Sequence, residues 1–248
     1  MQKRDIGLPV AILAGGLATR LRPLTERIPK VLLEVGGKPF LEHQLIYLRN
    51  QGFRDVIVCI GHLGEMICDR FGDGSRYGLR IQYSADGPDL LGTGGAVVRA
   101  LPLLGDAFFV LYGDSYLLID YQDVAAAFFR SGRQALMTVF PNHNRWDTSN
   151  VEFANGLIRK YDKKTPLPEM RYIDYGLSVY RASVFSKYPA NTVLDLSGVM
   201  SRLAEQGELA GYEAPTRFYE IGSHAGLREL DALLSSHQGA SGESQVPE

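Results

Sequence analysis

The sequence predicts an α/β protein, a three-layer sandwich around a mixed, mainly parallel sheet. Two observations predict it. Short β-branched runs alternate with longer helical patterns through the first half, and an Asn-Gly hairpin signal breaks that alternation in the second. At 248 residues the chain exceeds the usual size of one domain, yet the order of elements is continuous, so a single domain over residues 1–237 is expected.

The alternation opens with "PVAILA" as a strand. "FLEHQLIYLRNQG" follows as a helix, then "DVIVCIG" and "GEMICDRFG", "LRIQYS" and "GAVVRALPLL", "AFFVLYGD" and "VAAAFFRSG" as three further strand and helix pairs. Ligands of such sheets bind beyond the carboxyl ends of the strands. That rule singles out the loops after Ala14 and after Tyr112. In the second half "ALMTVF" reads as a strand, and "SNVEF" and "LIRKY" flank Ala154-Asn155-Gly156 as an antiparallel hairpin. "YIDYGLSVY" reads as a buried strand, "LSGVMSRLAEQG" as a helix that Gly207 ends, and "HAGLRELDALLSS" as a closing amphipathic helix. The final stretch is small, polar and without aromatics, so it cannot bury enough surface to offset its ordering entropy; residues 238–248 are expected to be a disordered tail.

Composition removes several function classes. Lys plus Arg number 26 against 28 Asp plus Glu, a net charge of −2, which leaves no general electrostatic grip on nucleic acid or an acidic membrane. Any anion is held locally. Cys59 and Cys68 are the only cysteines, so neither a disulfide framework nor a structural zinc is expected, and both read as small core residues. No apolar run approaches the roughly 20 residues that span a bilayer, and the N-terminus lacks the pattern of a secretory signal. A cytoplasmic protein is expected.

"AGGLATRLRPLTERIPK" follows the first strand. Gly15 and Gly16 there let backbone N–H groups approach an anion, although a tight strand-to-helix turn explains the glycines equally well. The loop is neither "GxxxxGK[ST]" nor the dinucleotide "GxGxxG", whose third glycine is missing. The cations Arg20, Arg22 and Lys30 beside the glycine turn point to a triphosphate. The longer run "LAGGLATRLRPLTERIPKVLLEVGGKPFLEH" resembles the signature of the sugar-phosphate nucleotidyltransferases, or nucleotide-sugar pyrophosphorylases, whose pattern is of the type "GGxGTRLxPLTxxxPKxLxxVxGKPxLxH". In wording it stands nearest to the heptose 1-phosphate and mannose 1-phosphate guanylyltransferases. One departure is Ala18, where that pattern carries glycine, and it matters if the position needs positive φ.

The resemblance implies a Rossmann-like sandwich of the nucleotide-diphospho-sugar transferase type with a small antiparallel sugar-side region. It implies transfer of a nucleotidyl group from an NTP to a sugar 1-phosphate, giving NDP-sugar and pyrophosphate, with Mg²⁺ as cofactor. Ala14, Gly15, Gly16, Gly92 and Thr93 would bind the nucleotide, the last two in "LLGTGGAVVRALPLL", which is similar to the family's "LGTAGA". Taken alone, Thr93 also reads as a helix N-cap. Asp114 in "FFVLYGDSYL" resembles the "GD" aspartate that holds the metal, and a hard cation wants such hard oxygens. Glu220 in "RFYEIGSHAG" stands where the second metal carboxylate is usually aspartate. "IRKYDKKTP" would place Asp162 on sugar hydroxyls and Lys163 on the sugar phosphate; "YIDYGLSVY" and "DTSNVEF" would add Asp174, Gly176 and Asn150 to the sugar side, although exposed strand ends would look the same. Trp146 is read as rim packing rather than a sugar platform.

Two anions must meet in that reaction, so catalysis would come from positioning and charge neutralisation, with no His or Cys nucleophile. Arg20, Lys30 and Lys163 are the catalytic candidates. Asp86 lies in "IQYSADGPDLLGTGG", where a carboxylate can accept both donors of the guanine edge, which favours GTP; a pyrimidine NTP (UTP, dTTP or CTP) stays open. A non-catalytic nucleotide-sugar sensor is the reading from another class, supported by Ala18 and Glu220.

Overall fold

The computed structural model describes residues 4–240. Its strands are β1 (Val10–Leu13), β2 (Glu34–Val35), β3 (Lys38–Pro39), β4 (Asp55–Ile60), β5 (Arg80–Ala85), β6 (Ala107–Tyr112) and β7 (Ser115–Tyr116), followed by β8 (Ala135–Pro141), β9 (Val151–Ala154), β10 (Leu157–Tyr161), β11 (Tyr172–Arg181), β12 (Leu209–Glu213) and β13 (Tyr219–Glu220). The helices are α1 (Phe40–Gln51), α2 (Gly64–Phe71), α3 (Gly92–Ala100), α4 (Tyr121–Ser131), α5 (Leu196–Glu205) and α6 (His224–Ala240). A 9-stranded sheet runs β5-β4-β1-β6-β11-β8-β12-β10-β9. Its first four strands are parallel, β11 is antiparallel to both β6 and β8, and β12 returns parallel to β8.

The period of two along each central strand builds a core on either face of the sheet. Val10 and Ile12 of β1 join Val56, Val58, Phe109 and Leu111 beneath α1, α2 and α4. Ala11 points the other way and joins Ile57, Cys59, Phe108 and Val110 beneath α3 and α5. Both faces are covered, which is why these strands read as almost uninterrupted apolar runs. Cys59 is buried and Cys68 half-buried, both as free thiols, and burial pushes the Cys59 thiol up to about 12.

Helix α3 begins at Gly92, three residues before the apolar run from which it was read, because Gly94 and Gly95 let its first turn lie against the Leu194 backbone; both N–H groups donate to Leu194 O, at 2.8 and 3.1 Å. A smaller core of Val35, Phe40, Ile221 and Leu230 pins α6 against β2, β13 and the start of α1. The tail expected from residue 238 starts inside α6, which runs to Ala240, and residues 241–248 lie outside the described residues. Among the described residues no helix is long and apolar enough to cross a membrane.

Candidate active site

The loop after β1 leaves the sheet at its carboxyl edge, with the Ala14 N–H donating to Cys59 O at 2.9 Å. A methyl on Gly15 would meet Gly61 N at 3.0 Å, so this glycine is required by neighbouring backbone, whereas a methyl on Gly16 would meet nothing within 4 Å. Gly16 faces open space. Ala18 adopts φ 47 and ψ 45, the left-handed region, which costs a residue bearing Cβ roughly 1–2 kcal/mol. It is held there by Thr25, whose buried hydroxyl donates to Ala18 O at 2.9 Å, and by the Leu21 N–H at 3.0 Å. The position where the resembled pattern carries glycine therefore does need positive φ. The next residues form a short turn, Thr19–Leu21, with Leu21 buried and Arg20 exposed.

Lys30 opens another short turn, Lys30–Leu32, anchored by buried Val31 and Leu32. Its Nζ lies 2.6 Å from Asp114 Oδ2, just past β6. Burial alone would raise the Asp114 pKa; the charge and hydrogen bond of Lys30, with Arg20 adding, outweigh that and hold the carboxyl below its ordinary value. Glu220 on β13 pairs with Ser115 on β7, one residue from Asp114, and the Ile221 N–H donates to Asp114 O at 2.9 Å. The Glu220 carboxylate accepts from Gly222 N–H and from Ser223 Oγ, the latter at 2.6 Å, at the start of α6. Gly222 is where these groups converge. A methyl on it would lie 2.5 Å from Glu220 Oε2, 3.1 Å from Arg20 Nη2 and 3.3 Å from Asp114 Oδ2.

Asp86 follows β5 and is buried. Its Oδ2 accepts from Leu91 N–H at 3.1 Å, closing the loop that leads into α3. Burial raises its pKa, against the opposing pull of that hydrogen bond and of Arg99. Gly92 takes φ +73, and a side chain there would meet Leu194 O at 2.8 Å. Thr93 Oγ1 accepts from Leu196 N–H at 2.9 Å and donates to Asp195 Oδ1 at 3.4 Å. The threonine thus ties α3 to α5 rather than capping its own helix.

On the other side of β6, Lys163 Nζ lies 3.2 Å from Asp174 Oδ2. Asn150 is buried, and its Oδ1 accepts from the Asp174 N–H at 3.1 Å. Asp162 Oδ1 accepts from the N–H groups of Lys164 and Thr165 at 2.8 and 2.9 Å, shaping the turn after β10. Gly176 takes φ +96 where β11 slips its register against β8, and a methyl there would meet Ser115 Oγ at 2.6 Å. Trp146 is half exposed with the Arg217 guanidinium 3.6 Å from its ring centre.

One cavity of about 350 Å³ joins these parts. Ala14, Gly15, Gly16, Lys30 and Asp114 line it together with Asp86, Gly92, Thr93 and Lys163. Asn150, Asp162, Asp174 and Gly176 are not on its wall, although Asp174 pairs with Lys163, which is; Arg20 and Glu220 also lie off the wall, gathered with Asp114 around Gly222. Tyr112 and Asp195 also line it and were not singled out from the sequence. The signal for Asp195 was an acid immediately before a helical run: it caps α5, accepting from Ser197 N–H at 2.8 Å. Among the described residues no group of three or more His, Cys, Asp or Glu is placed to hold a metal ion; the carboxylates offered here are two.

Comparison with known proteins extends this picture. Residues 10–236 match the family described as "Nucleotidyl transferase". The chain is 32% identical over 234 residues to N-acetylmuramate alpha-1-phosphate uridylyltransferase of Neisseria meningitidis, covering 91% of this chain and 97% of that protein. It is 39% identical over 177 residues to D-glycero-alpha-D-manno-heptose 1-phosphate guanylyltransferase of Campylobacter jejuni, covering 71% and 77% of the two chains. The crystal structure of HddC from Yersinia pseudotuberculosis complexed with GMP-PN shares the fold, with a TM-score of 0.75 at 22% identity, over 91% of this chain and 99% of that one.

Proposed function

The chain belongs to the nucleotidyl transferase family, as a sugar-1-phosphate nucleotidyltransferase, and from that premise we propose that it transfers a guanylyl group from GTP to a sugar 1-phosphate with the help of Mg²⁺. The observation that carries the reading is the single cavity that has Lys30 and Asp114, Asp86, and Lys163 on its wall. A sugar phosphate oxygen attacks the α-phosphorus, the new P–O bond forms as the bond to the bridging oxygen breaks, and pyrophosphate leaves with the charge. In this reading Lys30 holds the α-phosphate, Arg20 the departing pyrophosphate, and Lys163 the incoming phosphate. Neutralising two approaching anions in a site partly shielded from water is worth far more than the same contacts in bulk solvent.

The donor set suits Mg²⁺, which takes one or two protein carboxylates and fills its other positions with phosphate and water. Asp114 and Glu220 are those carboxylates, and both converge on Gly222. Bound there, the ion supplies Lewis-acid charge neutralisation of phosphate oxygens. Each carboxylate keeps lone pairs beyond those given to Lys30 and Ser115 by Asp114 and to Gly222 and Ser223 by Glu220.

For the base, the Asp86 carboxylate has one oxygen engaged by Leu91 and makes no other hydrogen bond among the described residues. A carboxylate edge accepts N1–H and the 2-amino group of guanine together. A uridylyltransferase among the relatives, matched along 97% of its length, favours UTP as the second reading. Pyrophosphate release from GTP, UTP, dTTP, CTP and ATP with a panel of sugar 1-phosphates decides between them. GTP is expected to give the highest kcat/KM, and Asp86→Gln to lower that preference. A UTP optimum that Asp86→Gln leaves intact would establish the second reading.

A further inference from the structure

We propose that Asp174 is a positioning residue, a buried anchor that with Tyr112 and Tyr161 aims the Lys163 ammonium into the active-site cavity. The proposal rests on the reading of Lys163 as holder of the incoming sugar phosphate. Three strands bring the parts together: Tyr112 ends β6, Tyr161 ends β10, and Asp174 sits in β11 where the register against β8 slips. The Asp174 side chain is only 3% exposed. Its Oδ2 accepts from Tyr112 Oη at 3.0 Å, Tyr161 Oη at 2.9 Å and Lys163 Nζ at 3.2 Å, and its Oδ1 from Gly176 N–H at 3.0 Å. A carboxylate so enclosed has no face left for a sugar hydroxyl.

Lys163 is the opposite kind of residue, with a side chain 41% exposed on a flexible stem. Left alone, its ammonium would sample several rotamers and lose entropy on meeting a phosphate. Asp174 removes most of that freedom beforehand. The ammonium is also flanked by aromatic faces, 4.9 Å from the Tyr112 ring centre and 5.7 Å from that of Tyr161, both within reach of a cation–π attraction.

The tyrosine hydroxyls have a second consequence. A buried carboxylate stripped of its cation is strongly destabilised, and that would lock the lysine in place. Two O–H donors keep Asp174 paired when the ammonium turns toward an anion in the cavity. The lysine is therefore aimed without being immobilised.

The test uses the full chain in two arms, crystal structures and two-substrate kinetics of Asp174→Asn, Lys163→Met and the double variant. Asparagine keeps the shape and one acceptor oxygen for the tyrosine hydroxyls, removes the charge, and turns the acceptor facing the Gly176 N–H into an amide donor. In Asp174→Asn, Lys163 Nζ is expected to leave the Tyr112 ring, and KM for the sugar 1-phosphate to rise about 10- to 100-fold, the scale of one charge-assisted hydrogen bond, with KM for the NTP unchanged. In the Lys163→Met background the same substitution is expected to add less than about 3-fold, because partners in one network are not additive. Should Asp174→Asn fail to fold, Tyr161→Phe, which leaves the charge in place and removes one donor, is expected to raise the sugar-side KM by about 2- to 10-fold with KM for the NTP unchanged, and an unchanged sugar-side KM would overturn the proposal. An unmoved Lys163 with both KM values unchanged would overturn the proposal. So would an undiminished effect in the Lys163→Met background. Wild-type protein that turns over no NTP and sugar 1-phosphate pair would sink the functional reading, and the crystallographic arm would still decide the anchor.

Discussion

Two lysine–aspartate pairs serve one cavity, and they are built on different plans. Lys30 and Asp114 meet at 2.6 Å with side chains 19% and 26% exposed, and Asp114 itself lines the cavity. Asp174 is nearly inaccessible, satisfied by four donors, and only its partner Lys163 reaches the cavity wall. In the first pair both charges are offered to the ligand, while in the second the carboxylate is consumed by the protein and the cation alone is offered. A carboxylate presented to solvent can take a metal; one enclosed by donors can only orient its neighbour. On this difference rest the proposed roles, chemistry for the first pair and aim for the second.

The largest expected effect breaks the open pair. Asp114→Asn removes the charge that pairs with Lys30 and that the proposed Mg²⁺ would use, and kcat is expected to fall by about 10³-fold or more, with the thermal midpoint close to wild type. A kcat within ~10-fold of wild type would take Asp114 out of the metal site. Next comes Gly222→Ala. Gly222 is not among the residues with positive φ, so alanine suits the backbone, and its methyl strikes Glu220, Arg20 and Asp114 at once. A loss of about 10- to 100-fold in kcat/KM is expected from such a displacement, and unimpaired turnover would show that the convergence on this glycine is incidental.

A third carboxylate sharpens the comparison by pH. Asp86 is buried and among the described residues forms no ion pair, and burial raises its pKa above the ordinary 3.8. The folded state therefore holds the Asp86 proton more tightly than the unfolded chain, so stability declines as pH rises from below 3.8 through the raised value and the penalty is complete above it. Asp86→Asn is always neutral and keeps an acceptor for Leu91 N–H. It is expected to be more stable than wild type in urea at pH 7 and to lose that gain near pH 3; an equal gain at both would contradict the account. The smallest effect is at Ala18. Relief of φ 47 in Ala18→Gly is partly offset by the greater freedom of glycine in the unfolded chain. A net gain of about 0.5–1 kcal/mol is expected, read as a midpoint rise of roughly 1–4 °C; a lower midpoint would show that the methyl contributes contacts that outweigh its strain.

The fold was legible where local chemistry decides it. The short apolar runs of β1, β4 and β6 and the turn pair Asn155-Gly156 are short-range signals, and the structure places strands and hairpin accordingly. The glycine-cation loop and Asp114 were legible for a related reason, because contiguous residues carried them. Ala18 could be singled out as a residue standing where a glycine is wanted, and its φ supplies the cause. Asp195, Tyr112 and Gly222 were not visible as site residues, because their roles depend on contacts across long sequence separations. Asp195 meets Thr93 from 102 residues away, and Gly222 matters because Arg20 and Asp114, both distant in sequence, meet Glu220 beside it. Asp174 was legible as a polar residue on a strand, but its burial under two tyrosines is a property of the packed sheet.

The most direct test of the two-plan account is the full two-substrate kinetics of Lys30→Met beside Lys163→Met. Lys163→Met is expected to raise KM for the sugar 1-phosphate by about 10-fold or more while leaving KM for the NTP in place, and Lys30→Met to act on kcat and on the NTP. Equal effects of both variants on the same substrate would contradict the assignment of the two lysines to two different phosphates.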